Sequence, residues 1–426
     1  MQKLLTALLL IGLLKSAAQA DDWAQFRGPN RDAVLVEKGL LESFPPEGLK
    51  IRWRVPVGGG YSSPVISQGR VYLNFSEWQT ANAIEHLRCY DERSGKALWT
   101  YTYDVGYDKD WREGNSKDGP RATPTIHEGR LYQIGADADF FCLDAVQGTV
   151  LWKKSLTAEY GLADHRCITP SPLIDGNLVI LVIGGKPDAG VVAFDRSTGK
   201  EVWRALEGRW TYSSPIVVEA GGKRQLIVWT ALGVSSLDPA TGKIYWREMC
   251  SLDNGPSIVT TPVLRGDLLL VSGMMFKLDA TKPAATLLWP ESPAAAKRVL
   301  SPTSMPLLQG DHVYSDRMNG LLVCLEAGSG KQLWKSNQVT ATGGGAALHL
   351  YPNGDAVWIF TDQGNLIRAR LSPEGYQELS RTHLLDPTMP FGGRKVAWTP
   401  PAFANRHIFA RNEKELICAS LEAKPD

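Results

Sequence analysis

Nine side chains in this sequence combine positive charge or flat rings at positions that no repeat accounts for: Tyr61, Arg121, His165, Arg166, Trp210, Tyr212, Arg394, Lys395 and Trp398. The cations come from three separate stretches and the rings stand close to them in sequence. A guanidinium fork matches a carboxylate, and aromatic faces stack on planar groups. Brought to one place, this set would bind a planar anion. The competing reading is that the same side chains cap a channel with water and one another. Other chemistries have less support. Asp164, His165 and Cys167 are near neighbours, but a closed metal site needs three or four ligands within reach. No second His or Cys group has that spacing, so no metal site is expected. No Gly-x-Ser-x-Gly elbow is present to activate a serine, and the remaining histidines are scattered.

What must position those residues is a repeat. Asp195-Arg196-Ser197-Thr198-Gly199-Lys200-Glu201-Val202-Trp203 recurs as Asp238-Pro239-Ala240-Thr241-Gly242-Lys243-Ile244-Tyr245-Trp246, and more loosely before Trp99, Trp152 and Trp334. From Trp53 through Trp99, Trp152, Trp203, Trp246 and Trp289 to Trp334 the steps are 46, 53, 51, 43, 43 and 45 residues. A period near 45 is the length of four short strands and their turns, one blade of a β-propeller. Most repeats open on Ser-Pro or Thr-Pro, as at Ser63-Pro64, Thr123-Pro124, Ser171-Pro172, Ser214-Pro215, Thr261-Pro262 and Thr399-Pro400. A Gly turn between apolar runs follows, the mark of a hairpin. The nine candidate residues fall in the stretches before these openings, where loops converge on the axial mouth of a propeller.

Six repeats end at Trp99, Trp152, Trp203, Trp246, Trp289 and Trp334. A seventh spans about 344–379, with Leu379 in the Trp position. The eighth begins at Thr399-Pro400 and runs out before its Trp strand. Lys50-Ile51-Arg52-Trp53 matches that missing strand. The expected fold is therefore all-β: eight four-stranded antiparallel blades, the last closed by the N-terminal strand, which removes the open edges of a linear stack.

Within the repeat, Asp91, Asp144, Asp195, Asp238 and Glu326 stand four residues before the turn Gly. A short carboxylate there accepts backbone N–H groups and staples the turn. Cys89, Cys142, Cys324 and Cys418 share one column with Ala193, Ser236 and Ala369, which reads as buried small side chains. Cys167 and Cys250 stand outside it and form the pair to test for a disulfide.

The sequence has 426 residues and a net charge of +1, with no basic run that would suit nucleic acid. Residues 1–20 read as a secretory signal peptide: Lys3, the apolar run 4–14, and Ala18-Gln19-Ala20 as the cleavage site. That apolar run is too short to span a bilayer. The expected division is a signal peptide at 1–20, an N-terminal extension at 21–48 and one propeller domain at 49–426. The expected location is a bacterial periplasm or beyond, without a transmembrane segment or lipid anchor.

With these motifs in view, the chain resembles the pyrroloquinoline-quinone (PQQ)-like β-propeller proteins over about residues 22–421. The Asp-x-x-Thr-Gly-Lys-x-x-Trp sentence is that family's repeat. The resemblance implies that Trp53, Trp99, Trp152, Trp203, Trp246, Trp289 and Trp334 dock each blade on its neighbour. The head Trp23-Ala24-Gln25-Phe26-Arg27-Gly28-Pro29-Asn30-Arg31-Asp32 looks like the start of a secreted subgroup. One branch, the quinoprotein alcohol dehydrogenases, binds PQQ and Ca²⁺ on the axis, with adjacent cysteines over the quinone. No two cysteines are adjacent here, and no Cys-x-x-Cys-His offers a haem. The other branch is the non-enzymatic scaffold, like BamB of the outer-membrane assembly machinery. Fold does not decide between them.

Two insertions break the period, at 74–87 and 102–120. The second carries Tyr103, Tyr107 and Trp111 among mixed charges, which suits a protein partner. The reading of the whole is a monomeric, exported binding or scaffold propeller with an axial small-ligand pocket. The alternative is a PQQ-dependent dehydrogenase with a diverged site, holding PQQ and Ca²⁺.

Overall fold

The computed structural model of the chain describes residues 22–79, 82–107, 119–162, 168–250, 259–292 and 299–423. Eight four-stranded antiparallel sheets follow one another as blades. The first runs from Val65–Ser67 through Arg70–Gln79 and Asn82–Asp91 to Ala97–Val105. Ile51–Pro56 is the outer strand of the last, paired with Glu415–Ser420 so that Trp53 stands opposite Cys418. The N-terminal strand thus closes the ring. Among the described residues, one hairpin lies outside the blades, Met389–Phe391 with Arg394–Val396, ahead of blade 8.

The Ser/Thr-Pro openings have a physical role. Ser63 N–H donates to Thr123 Oγ1, Thr123 N–H to Ser171 Oγ and Ser171 N–H to Ser214 Oγ, each at 3.0 Å. Each hydroxyl satisfies a buried backbone donor of the preceding blade, which would otherwise be costly. Proline follows because its own nitrogen needs no partner there.

The tryptophans link the rim in the same direction. Indole N–H groups of Trp53, Trp99, Trp152, Trp203, Trp289 and Trp334 donate to Glu92, Ala145, Arg196, Pro239, Ala327 and Ser372 carbonyls of the next blade. Five of these rings lie on the next blade's turn glycine. A methyl added at Gly95, Gly148, Gly199, Gly242 or Gly330 would come within 2.5–2.9 Å of the ring. Trp246 differs, donating to Gln225 Oε1 of its own blade at 3.0 Å. The turn acids staple as their spacing predicts: Asp195 Oδ1 accepts from Ser197 N, Thr198 N and Thr198 Oγ1. These hydrogen bonds hold its carboxyl below the usual range.

Seven of the eight outer strands carry a bulge at the residue before their Trp, at Arg52, Leu98, Leu151, Val202, Tyr245, Leu288 and Leu333. In blade 7 the bulge comes one pair later. Leu379 is therefore the unpaired residue itself and does not stand opposite Ala369, a correction to the sequence alignment. The cause is the tight Pro373-Glu374 turn, which continues regular pairing one residue further than the Gly-Lys turn does. The 74–87 insertion is equally regular. It lengthens the second and third strands of blade 1 into the hairpin Arg70–Gln79 and Asn82–Asp91.

Cys89, Cys142, Cys250, Cys324 and Cys418 are buried free thiols. Burial pushes Cys142 and Cys324 to about 11 and Cys89 and Cys418 to about 12, so they are inert packing groups. Cys167 lies outside the described residues, as do residues 1–20, the segment expected to be a signal peptide.

Candidate functional site

The mouth of the propeller is organised by contact between two backbones. Gly60 and Gly119 approach so closely that a Cβ on Gly119 would lie 2.4 Å from Gly60 Cα. Tyr61 and Ser62 then donate their N–H groups to Pro120 O at 2.8 and 3.0 Å. This fixes the loop before blade 1 against the loop before blade 2 and sets Tyr61 beside Arg121. The Arg121 guanidinium lies 5.3 Å from the Tyr61 ring centroid and 5.2 Å from that of Tyr212, which arrives from the loop before blade 4. Its Nη1 also donates to the Tyr212 hydroxyl at 3.3 Å. Such a cation held between two ring faces is attracted to both.

On its other side Tyr61 stacks on Trp398, centroids 6.3 Å apart and planes inclined 28°. Trp398 is held by its indole N–H on Gly345 O at 2.6 Å and by an edge contact with Phe391. Below it lies His349, a residue the sequence reading left among the scattered histidines. It is buried, and its Nε2 faces Trp398 O at 2.8 Å. Burial lowers its pKa to about 4, with Arg27 acting in the same direction and the Trp398 carbonyl opposing. His349 is thus neutral at neutral pH.

Four of the nine candidates therefore meet: Tyr61, Arg121, Tyr212 and Trp398. Three others stand apart. Trp210 is buried in the packing of blades 3 and 4, where a Cβ on Gly184 would be 3.0 Å from its ring. Arg394 is spent on a wholly buried carboxylate, pairing Nη2 with Asp362 Oδ2 and donating Nη1 to Ala341 O at 3.0 Å. Asp362 also accepts from Thr340 Oγ1 at 2.8 Å. Lys395 is exposed and lines an open groove with Arg54, Asp386, Lys414 and Glu415. His165 and Arg166 lie outside the described residues, as does 108–118 of the 102–120 insertion.

Part of that insertion is described and holds a second polar cluster. Glu85, wholly buried, accepts from the Tyr103 and Tyr107 hydroxyls, from Asn74 Nδ2 at 3.4 Å and from Ala136 N at 3.4 Å. Desolvation raises its carboxyl to about 7 against the pull of those donors. The sequence signal for it is an acid alternating with Ala83, Leu87 and Cys89, the side chains of the strand's buried face.

The mouth offers a stacked, cationic edge that can take a planar anionic group. Among the described residues, no three His, Cys, Asp or Glu side chains come together as metal ligands, and one of the cations foreseen for the quinone carboxylates neutralises Asp362 instead.

Comparison with known proteins places these features in a family. The family profile named for the outer membrane protein assembly factor BamB matches residues 83–336. BamB of Burkholderia pseudomallei is 24% identical over 312 residues, 72% of this chain and 64% of that protein. The quinohemoprotein alcohol dehydrogenase of Comamonas testosteroni is 26% identical over 235 residues, 51% of this chain and 30% of that enzyme. The chain thus spans less than two thirds of the length of these curated relatives. Among solved structures, BamB from Moraxella catarrhalis aligns with 87% of this chain and 99% of its own at a TM-score of 0.55 and 17% identity. The Comamonas testosteroni dehydrogenase aligns with 95% of this chain and 81% of its own at 0.66 and 16%. At such identities the structural likeness speaks for the fold. The profile match covers more than half of the chain, and with the eight blades and their repeat it makes this protein a member of the PQQ-like β-propeller family to which assembly factor BamB belongs.

Proposed function

We propose that this chain is an exported binding or scaffold propeller that engages a partner at its axial mouth. The observation that carries this reading is the state of the mouth's cations. Arg121 is held between the Tyr61 and Tyr212 rings, and this pairing of a guanidinium with flat ring faces suits one carboxylate or other planar anion. A site of this kind recognises an anionic side chain or chain end; the described residues supply no catalytic acid–base pair beside it. The described part of the 102–120 insertion contributes Tyr103 and Tyr107 to the buried Glu85 cluster. Export is supported by the leader-like composition of residues 1–20.

A second reading keeps PQQ as ligand, favoured by the stacked Tyr61 and Trp398 rings beside Arg121. One experiment separates the two. Protein incubated with PQQ and Ca²⁺ is desalted, then assayed for retained quinone absorbance and for dye reduction with alcohols or sugars. The scaffold reading expects neither. Retention together with turnover, both lost in Arg121→Ala, would overturn it in favour of a dehydrogenase.

A further inference from the structure

The head of the chain, singled out in the sequence and unused by the mouth, does something specific. Residues 22–41 run across the hairpin end of the axis. Asp22 caps the first hairpin through Ser67 Oγ and Gln68 N, and Trp23 bridges to Ile66. Ala24 O accepts from Ile126 N, Leu35 N–H donates to Pro352 O, and Leu41 N–H donates to Leu421 O. From this path two arginines turn inward and are almost completely buried, Arg27 at 4% and Arg31 at 3% exposure.

Their partners are main-chain carbonyls at the starts of inner strands. Arg31 Nη1 donates to Pro215 O at 3.0 Å and Ser171 O at 3.4 Å, and Nη2 donates to Pro172 O. Its Nε is held by Gln25 Oε1 at 2.8 Å. Arg27 donates Nη1 to Thr261 O and Nη2 to Asp32 O at 3.5 and 3.4 Å. Among the described residues, no carboxylate is bonded to either. Burial drags both guanidinium groups down, Arg27 to about 10 and Arg31 to about 9, yet both stay charged at neutral pH. A buried charge needs compensating dipoles, and here oxygens of three blades supply them. The backbone also yields to this arrangement: Arg27, Arg31 and Ala33 have φ of 64°, 58° and 62°. Left-handed residues other than Gly persist only where the surroundings impose them. Gly28 lets Trp23 close over the turn, since a Cβ there would be 2.9 Å from its ring.

We propose that the carbonyl oxygens of Ser171, Pro172, Pro215 and Thr261 form an axial cation-binding collar, and that the N-terminal segment is its built-in ligand, delivering planar guanidinium cations from within the chain. The collar selects a flat, multiply donating cation, because its oxygens come from different blades and one fork reaches several at once. The segment thereby ties blades 3, 4 and 5 to a strand anchored on blades 1, 2, 7 and 8.

Chemical rescue in the full-length chain tests this. Arg31→Gly removes the guanidinium while keeping a residue at ease at positive φ. Its thermal midpoint is expected to fall below wild type and to rise with the logarithm of millimolar guanidinium concentration, as binding to the native state requires. Urea, flat and uncharged, restores nothing, and guanidinium does not raise the wild-type midpoint. Arg31→Lys, with one ammonium in place of the fork, is expected to lie between the two and to respond weakly. A midpoint of Arg31→Gly equal to wild type, or identical responses to guanidinium and urea, overturns the proposal. Should Arg31→Gly fail to fold alone, refolding yield becomes the readout: recovery with guanidinium and not with urea supports the collar, and no recovery overturns it.

Discussion

Glu85 makes the most demanding prediction because one buried group controls it. The carboxyl is fully enclosed between the top of blade 1 and Ala136 of blade 2, and burial raises it from 4.5 to about 7. The sign follows from linkage. Below about pH 4.5 folded and unfolded chains both hold the proton, and Glu85 adds no pH dependence. As pH rises the unfolded chain releases it first, so folding loses about 1.4 kcal/mol per pH unit until the folded group titrates near 7. Above that the penalty is constant at roughly 3 kcal/mol. Glu85→Gln keeps an acceptor and a donor for Tyr103 and Tyr107 and cannot titrate. Urea unfolding of both proteins from pH 4.5 to 8 isolates the effect from the turn acids, whose lowered carboxyls act in the opposite direction and cancel in the difference. The difference in unfolding free energy, wild type minus variant, is expected to fall by about 3 kcal/mol across this range and then level off. A difference that stays constant with pH would refute the argument that Glu85 is desolvated.

Three further outcomes follow from contacts at the rim and mouth. Gly95→Ala places a methyl 2.7 Å from the Trp53 ring at φ 69°, and urea unfolding should show a loss of about 2 kcal/mol or more from the left-handed backbone plus the clash. Arg394→Met strips the buried Asp362 of its counter-charge and should cost about 3–5 kcal/mol in the same assay; a loss below about 1 kcal/mol would mean that the donors Thr340 Oγ1 and Gln363 Nε2, the latter at 2.7 Å from Asp362 Oδ2, suffice. Ser171→Ala removes the acceptor of Thr123 N–H inside the hydroxyl ring and should cost about 1–3 kcal/mol, with faster amide exchange at Thr123 as an independent readout.

The fold was legible because propeller positions are redundant: Trp, turn Gly, turn acid and Ser-Pro each recur, so a weak signal in one blade is corrected by the others. It misled where a blade departs from the pattern. Around Leu379 a tight turn moves the bulge, and no residue type records that shift. The mouth was half legible. Tyr61, Arg121, Tyr212 and Trp398 come together because each sits four residues before an inner strand, where the loop has no freedom to turn away. Trp210 sits only two residues before Tyr212, yet it faces the packing of its blades, since Gly184 opens a space for it. Arg394 pairs with Asp362, 32 residues earlier, a pairing that only the fold creates. Arg27 and Arg31 were visible as residues but not as channel groups, because nothing in a linear reading says that an extension will cross the axis.

The closure between Ile51–Pro56 and Glu415–Ser420 also sets a schedule. Arg54 and Glu415 meet across 361 positions of chain, so the first strand of the propeller to be made is the last to find its place. Until the C-terminal strands arrive, blade 8 lacks its outer strand and Trp53 has no blade edge to belong to. Long-range pairing of this kind is slow, and it leaves apolar edges open to aggregation in the meantime. A chain threaded outward with its N-terminus leading would hold that unpaired strand throughout its passage, and the ring could become whole only after the final strand had crossed.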